Sequence, residues 1–120
     1  MSLVYAGICC HAPGITARSQ LAEPEQYKRL LDAFQRQSQA IVDAGTEAIM
    51  LVSSEHFANF FMNNMPTFSI GMADSYEGPI EDPDWLKIPR RDIPANPDLS
   101  LRIIEEVMQT VDVGYAQEWK

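Results

Sequence analysis

LVYAGICCHAPG, residues 3–14, and AIMLVSSEH, residues 48–56, decide how this chain is read. Each is an apolar run that closes on a histidine, and His11 and His56 are the only histidines in the sequence. The first run is uncharged through Cys10 and is broken by Ala12-Pro13-Gly14, as expected of a strand covered on both faces. Between the runs lies a helix. Pro24 takes the favoured first-turn position, and Glu23 and Glu25 sit near the positive end of the dipole. Tyr27, Leu30, Leu31, Phe34, Ile41 and Val42 recur at helical spacing, and Gly45 supplies the stop. Strand, helix and strand make a βαβ unit with a right-handed crossover. Both imidazoles would then stand at the carboxyl edge of one sheet, where open α/β folds keep their ligands.

Outward from that unit, the segment FANFFMNNM after His56 is aromatic and amide-rich without periodicity. Pro66 introduces a third apolar run, TFSIGM, with Gly71 inside it. Residues 73–96 read as loop. Five of the eight prolines fall between Pro79 and Pro97, and Asp74, Glu77, Glu81, Asp82 and Asp84 come without a base among them. A loop of that length is commonly functional, and Trp85, Leu86 and Ile88 predict that it packs down. Asn96-Pro97-Asp98 is a helix start, with Ile104, Val107, Met108 and Val111 as the buried stripe. DVGYAQEW, residues 112–119, is a fourth short strand. The expected fold is α/β, a mostly parallel or mixed central sheet flanked by helices. With no helix to cover the last strand, it reads as the N-terminal part of a larger α/β domain.

The 120 residues fit one domain or part of one, and a 46% hydrophobic content can supply a core. A net charge of −8, with scattered basic residues, argues against a nucleic-acid surface. No window is apolar enough for a membrane span, and no signal segment opens the chain, so a cytoplasmic location is expected. Cys9 and Cys10 are the only cysteines. Strand neighbours point to opposite faces, so a mutual disulfide is not expected. Both thiols read as core residues of a protein in a reducing compartment.

A histidine at a strand end is either a hydrogen-bonded structural residue or a ligand. Two of them at two strand ends suit a metal, and with one carboxylate they would form the facial triad of a non-haem Fe(II) enzyme. Spacing alone leaves zinc open. Glu55 is better placed to orient His56 than to ligate. The acids of residues 74–84 are a solvated run or a source of the third ligand. Phe57, Phe60 and Phe61 are core or an aromatic-substrate wall. No phosphate-binding glycine loop, Cys-x-x-Cys pair or nucleophile elbow is present.

Cys10-His11-Ala12-Pro13 together with SEHFANFFMNNMPTFSIGMADSYEG, residues 54–78, resembles the class III extradiol ring-cleavage dioxygenases. The likeness is to the catalytic (protocatechuate 4,5-dioxygenase beta-type) subunit, runs along essentially the whole chain, and is to the N-terminal half of that subunit. Residues 1–120 would then be the N-terminal portion of a single catalytic domain. The resemblance implies His11 and His56 as two Fe(II) ligands. The third ligand, a glutamate, and the family's catalytic histidines would lie past Lys120, leaving no catalytic base here. It further implies an oxidoreductase of aromatic catabolism that binds a catecholic diol and O2 and cleaves the ring beside the diol. The family also implies a homo- or hetero-oligomer. The 120-residue chain would be inactive by itself. The alternative is a shortened, non-catalytic paralogue acting as a binding or assembly subunit, and a zinc hydrolase on a related fold is the weaker third.

Overall fold

The computed structural model describes residues 2–54 and 56–117. In chain order the elements are α1 (Gly14–Ala17), a 3-10 turn (Ser19–Leu21), α2 (Pro24–Asp43), β1 (Ser69–Gly71), β2 (Ser75–Gly78), α3 (Pro83–Leu86), β3 (Arg91–Pro94), α4 (Pro97–Val107) and β4 (Gly114–Ala116). This is a small mixed α/β fold. Two compact units divide it: Met1–Met50 with Asp84–Ile88, and Leu51–Pro83 with Pro89–Lys120.

In the first unit, α2 forms for the reasons its sequence gives. Pro24 occupies the first turn, and the Glu23 carboxylate accepts from the backbone N–H groups of Glu25 (3.0 Å) and Gln26 (2.7 Å). Lys28 donates to Asp32 at 2.9 Å and Gln39 to Asp43 at 2.8 Å, one turn apart on the exposed side. At the other end Gly45 takes φ +66°, a left-handed conformation that glycine adopts without penalty. The apolar stripe is only half covered. Tyr27, Leu30, Phe34 and Ile41 are half-buried, while Leu31 and Val42 are exposed. Segment 84–88 belongs to this unit. Leu86 is buried, and Lys87 Nζ donates to Gln20 Oε1 at 3.1 Å. The expectation that this segment packs down holds for Leu86, while Trp85 and Ile88 remain exposed.

The expected strands at residues 3–10 and 48–53 do not form. Residues 3–10 are irregular and pass close to α2 at Gly7, where an added Cβ would meet the Gln37 side-chain amide. Apolar composition alone cannot make a strand. An extended segment needs a neighbour to take its N–H and C=O groups, and among the described residues neither run has a sheet partner. The predicted βαβ unit around α2 is therefore corrected to a helix with irregular flanks.

In the second unit, β1 and β4 form a parallel pair, with Ser69, Ile70 and Gly71 opposite Gly114, Tyr115 and Ala116. Gly114 N donates to Phe68 O (2.8 Å) and Met72 N to Ala116 O (2.7 Å), extending the ladder at both ends. The connection runs through α4, which packs on β1. Asn96 caps α4 by accepting from Leu99 N at 3.0 Å. Ile104 is its buried residue and Val107 is half-buried, whereas Met108 and Val111 lie exposed beyond the helix. Residues 73–96 are not a loop throughout. β2 and β3 pair antiparallel, Ser75 opposite Pro94 and Gly78 opposite Arg91. Pro94 is tolerated because each strand of a two-stranded sheet is an edge. The Tyr76 hydroxyl accepts from Ala73 N at 3.2 Å and lies over Gly71, where any Cβ would collide with the ring.

In place of one central sheet, the described residues hold two two-stranded sheets. Among the described residues the buried apolar side chains are few: Ala17 and Leu86 in the first unit and Ile104 in the second.

Candidate functional site

His11 lies in the first unit, on an exposed irregular segment directly before the Pro13-Gly14 turn that starts α1. His56 lies in the second unit, exposed and in a turn with φ +63°. Phe57 follows at φ +58°. Two consecutive non-glycine residues in left-handed backbone cost roughly 1–2 kcal/mol each. The composition offers no signal for this, since neither glycine nor asparagine occupies the turn. Glu55, expected to orient His56, falls outside the described residues. Neither histidine stands at the end of a strand, so the rigid sheet edge that was to aim both imidazoles is missing.

The other candidates are similarly scattered. Asp74 is exposed, and its backbone carbonyl accepts from Ala95 N at 2.9 Å. The Glu77 carboxylate faces Arg90 at 3.4 Å on the β2–β3 hairpin. Phe57 and Phe61 are exposed and Phe60 is half-buried, which makes neither a closed core nor an enclosing wall. Cys9 and Cys10, expected inside, are exposed free thiols. Two open surface depressions lie elsewhere. One is lined by Asp32, Gln35, Arg36 and Gln39 on α2, the other by Glu77, Arg90, Arg91 and Asp92 on the hairpin. Neither includes an aromatic ring or a histidine. In the first, Asp32 has its carboxyl pKa held below the usual value by the hydrogen bond from Lys28.

Among the described residues, no group of three or more histidine, cysteine, aspartate or glutamate side chains could hold a metal ion. That overturns the Fe(II) cofactor and the extradiol dioxygenase built on it. A facial triad requires three protein donors converging on one ion, and His11 and His56 belong to no such group. The assignments as an iron-dependent oxidoreductase, as a metal-binding protein and as an enzyme of aromatic ring cleavage are corrected accordingly.

Two irregular segments, one before α1 and one after α2, expose apolar side chains. Leu3 is 86% exposed, Ile8 100%, Ile49 70%, Leu51 80% and Val52 88%. The uncharged apolar runs that marked these residues as buried were legible in the sequence, but their environment was not. No described helix is long and apolar enough to cross a membrane. Compared with protein-family models, curated proteins and solved structures, the chain matches none of them.

Proposed function

We propose that the chain is a binding and assembly module rather than a catalyst, and that residues 3–8 and 49–52 are the surfaces through which it associates with a second copy of itself. The observation that carries this reading is the exposure of Leu3, Ile8, Ile49, Leu51 and Val52 on two irregular segments. Exposed apolar residues are ordinary when single, but contiguous runs mark interaction surfaces. Full burial of such side chains is worth roughly 1.5–3 kcal/mol each, so the set is worth on the order of 10 kcal/mol. That is comparable to the roughly 4–15 kcal/mol lost in rigid-body freedom on association, enough for a dimer when the fit is good. Among the described residues both segments lack a sheet partner, and both are β-prone, which favours strand addition as the mode of pairing.

The resemblance of residues 54–78 to class III ring-cleavage subunits supports a non-catalytic relative of that family, one that retains the segment pattern without a three-donor metal group among the described residues. A cytoplasmic, reducing compartment suits its free thiols. Sedimentation velocity across a concentration series tests the assembly. The expected result is a reversible dimer or larger species, with the double variant Ile8→Asp, Val52→Asp shifted to monomer and unchanged circular dichroism. A folded wild-type chain that stays monomeric at its highest soluble concentration overturns the reading.

A further inference from the structure

Two thiols, Cys9 and Cys10, sit side by side on the irregular segment that precedes α1, and both are free and exposed. In a strand they would point to opposite faces. Outside regular structure the backbone between them is released from that alternation, so both sulfurs can turn to the same side. Their Cα atoms are about 3.8 Å apart across a trans peptide, below the usual disulfide window of about 4.4–6.8 Å. A direct S–S bond here is strained. A bridge with one atom between the sulfurs spans a longer path and relieves that strain.

We propose that Cys9 and Cys10 form a vicinal dithiol site that chelates a single thiophilic trivalent centre, with trivalent arsenicals as the ligand class. The reaction is a condensation without redox change. An arsenoxide R–As=O takes both thiols to give R–As(S–Cys9)(S–Cys10); two As–S bonds form, the arsenic–oxygen bond breaks, and the two thiol protons leave with the oxygen as one water. Arsenic remains trivalent throughout. Only two donors are needed, which is consistent with there being no three-donor metal group among the described residues.

The test uses phenylarsine oxide with the full chain kept reduced, read by intact mass. One arsenical per chain is expected, retained against excess glutathione and released by 1,2-ethanedithiol, because only a dithiol competes with a chelate. Cys9→Ser and Cys10→Ser, both at exposed positions, should each lower retention at least tenfold. Three results would overturn the proposal: an adduct stripped by glutathione, an adduct bridging two chains, or undiminished retention in either serine variant. Thiols that fail to react with a maleimide in the wild-type chain would overturn it as well.

Discussion

Residues 3–10 and residues 67–72 are written alike, apolar, β-prone and with a glycine inside, yet only the second becomes a strand. In TFSIGM, Ile70 lies opposite Tyr115, Gly71 admits the Tyr76 ring, and α4 packs on β1 with Ile104 buried. In LVYAGICC no sheet partner is present among the described residues, and Ile8 is wholly exposed. The difference is not in propensity. It lies in whether another segment brings backbone donors and acceptors to the run.

The strongest way to break the comparison is through the buried support of β1. Ile104→Ala should cost about 2–5 kcal/mol, the range for truncating a buried aliphatic side chain, while Ile8→Ala, compared at dilutions where the chain is monomeric, stays within about 0.5 kcal/mol. Urea midpoints of the two variants measure this, and equal losses would show that Ile8 is buried in solution. The two glycines sharpen it next. Gly71→Ala drives a methyl into the Tyr76 ring and should cost about 1–3 kcal/mol. Gly7→Ala meets the flexible end of the Gln37 side chain and the edge of the Tyr5 ring, both on exposed or half-covered chain that can give way, and should cost less than about 1 kcal/mol. A costly Gly7→Ala would mean residues 3–10 are held as firmly as β1.

Smaller effects probe the helices that flank each run. Asn96→Ala removes the acceptor for Leu99 N and should cost about 1 kcal/mol, read as a loss of thermal stability. The least effect comes from the pair on α2. Lys28→Met should let the Asp32 pKa rise toward the ordinary aspartate value, followed by carboxyl NMR. A depressed carboxylate pKa contributes stability above the unfolded value and loses it as pH falls through the folded value. The Lys28–Asp32 contribution therefore fades on acidification below about pH 4, and salt screens it further because both groups are exposed.

How much could be read in advance follows from the range of each signal. Helix α2 and the start of α4 were legible because Pro24, Glu23, Gly45 and Asn96 act within a turn of the backbone they cap. β1 was legible as an apolar run and β4 as a short strand, but their pairing joins residues far apart in sequence. Residues 3–10 and 48–53 carried the same signal without the partner. The β2–β3 hairpin was hidden behind Pro79, Pro83, Pro89 and the surrounding acids, which individually argue for loop. At the candidate site, His11 and His56 were easy to notice. Convergence of three donors is a property of the folded chain, and no residue spacing encodes it.

The parallel pairing of β1 with β4 also sets an order of events during synthesis. Helix α2 and the β2–β3 hairpin close over short stretches and can form as soon as they leave the ribosome. β1 must wait, because its partner is made only after the hairpin and α4, and the intervening chain has to be gathered before the ladder returns any hydrogen bonds. For that interval Phe68 and Ile70 are nascent, unpaired and apolar.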